Sequence, residues 1–234
     1  MSATSTEQAG AVEAERTSPL PRRLLDAFLS PGKLGRELAR DPRWAGALLV
    51  VLGLIALSSA LLPAEMFAEV QRRAALQRGV TPPPMSDQTL RMIRIFAIAG
   101  GPIAVGIITF VFAGLYTFLF AFVLGDRGRY SQYLSVTAHA GIIPALLAVA
   151  LVPLRIRTED PQFGLNLASF LVFLEPGYLL NVFRMMDLTQ LWASAVTAWG
   201  VHEIDRRRSF TSAFAILVGF MVAVALVMAR FIPV

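Results

Sequence analysis

A chain of 234 residues that is 56% hydrophobic and only 16% charged is no ordinary soluble domain, where about 25% of residues are charged; several apolar runs of spanning length make it a polytopic membrane protein. Its net charge of +5 is spread through the loops, which suits orientation in a membrane and implies no nucleic-acid partner. With no cysteine present, disulfides, thiolate nucleophiles and Cys-ligated metals are excluded. Lys33 stands alone against twenty arginines, a bias of high-GC bacterial genomes.

Residues 1–19 carry Ser, Thr, Glu, Gln and Ala without an apolar period and read as a disordered tail. No apolar stretch follows a basic start, so they are not a signal peptide. In residues 20–43, Arg22 and Arg23 precede Leu24, Leu25, Phe28 and Leu29 at helical spacing. Pro31-Gly32 breaks the helix, and Leu34 and Leu38 continue among Lys33, Arg36, Arg40 and Arg43. Two readings fit: a cytoplasmic helix lying in the membrane interface through Arg22, Arg23, Leu24, Leu25, Phe28 and Lys33, or a helix packed under the bundle.

Residues 44–234 read as one all-α transmembrane domain of five spans. The first, Trp44–Leu62, is followed by Pro63 and a polar stretch with helical spacing over 64–78, stopped by Thr81-Pro82-Pro83-Pro84. Ser86 or Asp87 is placed to cap the next helix. The second span, 95–124, is about 45 Å of helix and longer than a bilayer core; Gly100-Gly101-Pro102 predicts a kink or a steep tilt there. The third, 134–154, carries His139, Pro144 and a small-residue face at Thr137, Gly141 and Ala145. Residues 165–186 are apolar but interrupted by Glu175-Pro176-Gly177, which predicts a helical or re-entrant extracytoplasmic segment in place of a crossing.

The fourth span, 188–204, is uncharged from Leu188 to Val201 and bounded by Asp187 and Asp205. On a wheel of about 100° per residue, Asp187, Gln190, Ser194, Thr197 and His202 share one side, and Trp192, Ala195, Val196 and Trp199 the other. Such a half-polar helix must turn its stripe toward protein or water. The fifth span, 210–232, has a second small-residue face at Ala215, Gly219 and Ala223. Twelve basic residues lie on the side of the N-terminus and nine on the other; with seven ahead of the first span, the N-terminus is expected in the cytoplasm and the C-terminus outside.

The layout resembles the Yip family of Ypt/Rab-interacting membrane proteins, in its bacterial branch. The resemblance covers roughly residues 24–232. It rests on Phe28-Leu29-Ser30-Pro31, Pro42-Arg43-Trp44, Gly101-Pro102 and Ser131-Gln132-Tyr133-Leu134-Ser135. Its strongest parts are Asp187-Leu188-Thr189-Gln190-Leu191-Trp192 and Gly200-Val201-His202-Glu203. It implies a five-span protein of the bacterial inner membrane with a cytosolic N-terminus. Eukaryotic members serve vesicle transport and bind prenylated Rab GTPases and one another, and the short N-terminal arm here departs from that GTPase-binding pattern.

No phosphate-binding loop, Rossmann fingerprint, His-Glu-x-x-His or Gly-x-Ser-x-Gly is present, and no cofactor is implied. His139 and His202 lie in different spans; neighbours His202 and Glu203 point about 100° apart and do not readily share a ligand. Asp187 reads as a helix cap or, with Gln190 and His139, as part of a proton or ion relay. Glu175 reads as a loop acid or a cation ligand. Gly100-Gly101-Pro102 reads as a packing kink or as exposed backbone for a ligand. The expected function is non-enzymatic: contact with the bilayer and binding of membrane partners or of a second copy. The rival is a small transporter with a polar site between the second, third and fourth spans, where Asp187, Gln190, Ser194, His139, His202 and Glu175 are the polar residues at issue.

Overall fold

The computed structural model describes residues 18–81, 85–161, 163–171, 173–175 and 177–232, with the Gln77 side chain excepted. The expected tail up to residue 17, the proline run at 82–84 and Pro176 lie outside them. The described residues are all-α, with a single isolated antiparallel bridge between Asn166 and Asp187.

Helix α1 (Leu20–Leu29) hands over at Ser30 to α2 (Pro31–Arg40), with proline at the first helical position, where its missing N–H costs nothing. Helix α3 (Ala45–Leu61) turns by 87° into α4 (Ala64–Gln77). The turn sits at Pro63, which drives Leu62 into an extended conformation with ψ of 140°. Ser86 caps α5 (Asp87–Tyr116), its Oγ accepting from the Thr89 N–H at 3.2 Å.

α5 runs unbroken through Gly100-Gly101-Pro102. Gly101 lies against Ile55 and Ser59 of α3, where a Cβ would meet Ile55 at 3.4 Å, so the small residue permits close helix contact. The irregularity comes later, in a π-helical stretch at Thr117–Val123, where Thr117 Oγ1 donates to the Ala113 carbonyl at 2.7 Å.

The third apolar run forms α6 (Tyr130–Ala140), α7 (Ile142–Ala150) and α8 (Val152–Thr158). Its breaks fall at Gly141 and Leu151, each within three residues of a proline that cannot complete the hydrogen-bond ladder. A short 3₁₀ turn (Leu167–Phe170) and α9 (Tyr178–Met185) follow, then α10 (Leu188–Ile204) and α11 (Phe210–Met228). The Leu167 N–H donates to the Met186 carbonyl at 3.0 Å and the Leu188 N–H to the Leu165 carbonyl at 2.8 Å. The excursion over 165–188 therefore begins and ends at one place.

Among the described residues, three helical stretches are long and apolar enough to cross a membrane: Asp87–Val123, Tyr130–Ala150 and Phe210–Phe231. The bent α3–α4 pair raises the number to four. α10, seventeen residues long, is shorter than these and diluted by its polar stripe.

α3 packs on α5, α6 and α7; α5 packs on α6; α6 and α7 pack on α10; α10 packs on α11. The most extensive contact joins α10 to α2. α5 and α11 meet through side chains, Phe112 and Tyr116 against Phe220, and not by an extensive backbone approach. Ala215, Gly219 and Ala223 of α11 all face outward, and no neighbouring atom would meet a Cβ at Gly219.

Candidate functional site

The site is built around α10. At its start, Asp187 Oδ1 accepts from the Thr189 N–H at 2.7 Å, which satisfies one of the unpaired donors of the first turn. One turn on, Gln190, Ser194 and Thr197 project from one face into a cavity of about 400 Å³. Val51 and Ile55 of α3, Ile108 and Phe112 of α5, Thr137, Gly141 and Pro144 of the third run, and Phe220, Met221 and Val224 of α11 complete its wall. This is the region between the expected second, third and fourth spans, extended to the fifth.

The wall carries no charged side chain. The Ser and Thr hydroxyls are committed to their own helices: Thr109 to Val105, Thr137 to Tyr133, Ser194 to Gln190 and Thr197 to Ala193, each donating to the carbonyl four residues back at 2.8–2.9 Å, while the Tyr116 ring also lines the wall. The Gln190 amide makes no side-chain hydrogen bond among the described residues. The cavity is open on one side, so what surrounds the chain there can enter it. Between α5 and α11 the cavity is bounded by side chains alone. Phe112 and Tyr116 meet Phe220 edge to face across that gap, with centroids 6.1 and 6.5 Å apart.

The other polar residues singled out in the sequence lie elsewhere. His139 is fully buried and absent from the cavity wall. Its Nδ1 donates to the Ser135 carbonyl at 2.8 Å, an acceptor that fixes the proton on Nδ1 and leaves Nε2 as a lone pair. Arg23 Nε, Ser135 Oγ, His139 Nε2 and, further along, Tyr133 Oη are buried without a hydrogen-bond partner among the described residues. The structure therefore does not bring His139 together with Gln190 and Asp187. Glu175 is exposed on the excursion. His202 Nδ1 lies 2.6 Å from the Arg208 carbonyl and staples the turn after α10. Among the described residues no group of His, Asp and Glu is placed to hold a metal.

The apolar face of α10 meets α2. Gly32 and Gly35 form a notch for Trp199: a Cβ on Gly35 would lie 3.0 Å from the Trp199 carbonyl oxygen and 3.1 Å from Glu203 Cγ. Leu34 and Leu38 are buried with Val196 and Ala193, and Glu203 pairs with both Arg36 of α2 and Arg206. In α1, Leu24 and Phe28 pack against this core while Leu25 and Leu29 stay 59% and 78% exposed. The expected surface set is thus divided: Arg22 and Leu25 face outward, Arg23 is buried, and Lys33 pairs with Asp26 at 3.0 Å.

Beyond α10, two turns lock together. Asp126 pairs with Arg208, and Asp205 accepts from the Arg127 N–H at 2.9 Å and from the Arg207 guanidinium at 2.6 Å. The Arg207 hydrogen bonds, then the Arg127 N–H, hold the Asp205 carboxyl well below the usual carboxylate range. By sequence alone 205–208 is only an orienting basic turn, and this latch goes unnoticed; the available signal is one aspartate in each turn.

The model of the Yip1 domain matches residues 25–229. The chain belongs to the Yip family. No curated protein and no solved structure matches it. The match to the Yip1 domain takes in α10, its notch on α2, the cavity and the latch, so the described site lies within the family domain. Together with its long apolar helices, this makes the Yip1 domain here a multi-pass membrane protein.

Proposed function

We propose that this Yip1 domain is a non-enzymatic five-span protein of the bacterial inner membrane that binds membrane partners or a second copy of itself and so organises the bilayer around it. α3, α5, the α6–α7 run, α10 and α11 are the five crossings, with the N-terminus cytoplasmic and the C-terminus outside. The supporting observation is the chemistry of the cavity wall: no charged side chain, and Ser and Thr hydroxyls that donate to their own helices. A transport path needs polar groups converging near the midplane. The rival transporter reading draws on the convergence of Gln190, Ser194 and Thr197 alone.

Reconstitution separates the two. Proteoliposomes of the full chain are expected to pass no more ions or small solutes than empty vesicles. A cysteine at Arg22 is expected to cross-link, in native membranes, to a second copy or to another integral membrane protein. A solute flux that Gln190→Leu abolishes would overturn the reading in favour of transport.

A further inference from the structure

We infer that the cavity beside α10 holds one acyl chain of a membrane glycerolipid, admitted sideways between α5 and α11, with the Gln190 amide donating to the lipid's ester carbonyl. The inference rests on the cavity being a binding site and not a transport path, and gives that site its ligand class.

Three observations carry it. The first is the contact between α5 and α11. Their backbones do not approach extensively, and only movable side chains, the rings of Phe112, Tyr116 and Phe220, close the space between them. Around a membrane protein, the medium outside such a gap is hydrocarbon. The second is the wall. Ile55, Ile108, Met221 and Val224 present apolar surface, the Ser and Thr hydroxyls donate to their own helices, and no charged side chain is present to demand an ion. Its volume, about 400 Å³, falls within the range of small-molecule sites, roughly 300–1,000 Å³. The third is Gln190, in the first turn of α10, exposed at the cavity's edge and without a side-chain hydrogen bond among the described residues. A donor at the open edge of a largely apolar cavity matches a molecule that is apolar along its length and carries an acceptor at its head. A second copy's helix would need a groove along the whole gap; the aromatic rings crossing it interrupt that course.

The test uses the full chain in vesicles of phosphatidylglycerol and phosphatidylethanolamine containing a tracer phospholipid with a photoreactive diazirine in one acyl chain. After irradiation, labelled residues are mapped by mass spectrometry, before and after exchange into lipid-free detergent. Before exchange, label is expected both on outward residues such as Ile103 and Val227 and on cavity residues such as Ile55 and Met221. When irradiation comes after the exchange, the outward label is expected to fall at least tenfold and the cavity label to persist. Val224→Trp, which fills the cavity, should abolish the retained label, whereas Val224→Leu should keep it. Gln190→Ala should shorten retention without changing the outward label. If Val224→Trp does not fold, the before-and-after comparison on the unmodified chain still decides. Equal loss of label at cavity and outward positions overturns the inference, as does a chain-to-chain cross-link in the cavity in place of lipid. Solute flux in the reconstituted vesicles would sink the underlying binding-site reading; absence of retained lipid without flux would sink only the ligand.

Discussion

Asp187 shows how much one side chain does at the head of α10. Its carboxylate accepts from the Thr189 N–H at 2.7 Å, and the same residue forms the bridge to Asn166. Asp187→Asn keeps a capping oxygen; Asp187→Ala removes it. Cap loss costs about 0.5–2 kcal/mol in soluble hosts. Thermal unfolding in detergent is expected to show Asn near the parent and Ala several degrees lower. Equal behaviour of the two would leave the cap without measurable weight and place the stability of α10 in its packing. His202 teaches the complementary point. It stands next to Glu203 in the sequence, yet its ring goes to the Arg208 carbonyl and the glutamate to Arg36 and Arg206. Neighbours about 100° apart on a helix serve different partners.

At the scale of elements, the contact between α2 and α10 depends on two missing side chains. Gly35→Val would drive its branches toward the Trp199 carbonyl and Glu203. Overpacking of this kind costs about 1–3 kcal/mol, and α2 is expected to release from α10 before the bundle unfolds. Proteolysis within residues 31–40 should then accelerate while the helical circular dichroism of the whole chain stays nearly constant. Unchanged proteolysis would show that α2 is held by something other than this notch. The bounds and polar stripe of α10 are legible in the sequence, because charge ends the helix at both sides and the stripe repeats at helical spacing. Its partner is not. A glycine pair fitting one tryptophan has no period of its own and gains meaning only when two segments distant in sequence meet. The gap between α5 and α11 is hidden for the same reason: runs of apolar residues state that helices exist, not which pairs lie side by side. The interruption at Glu175 is readable as a non-crossing segment, but the hydrogen bonds closing its ends involve backbone groups that no side-chain pattern announces.

For the whole molecule, the five-span arrangement proposed above puts α4 and the 165–188 excursion on one side and the latched turns at 126 and 205–208 on the other. The cysteine-free chain suits a direct check. Single cysteines at Arg78 and Phe173 should react with an impermeant maleimide added outside intact cells. Cysteines at Arg22 and Arg206 should react only after permeabilisation. Labelling of positions 78 and 173 from different sides would break the five-span arrangement, and a wholesale exchange of sides would keep it but reverse its direction. The bridge between Asn166 and Asp187 reaches further than topology. Because the chain leaves and returns at neighbouring positions, and α9 in between rests on α11 through Val182 with Ala225 and Ala229 and through Asn181 with the Ile232 carbonyl, the start of α10 and the end of α11 hang from one outer piece, so a shift of either helix is passed to the other.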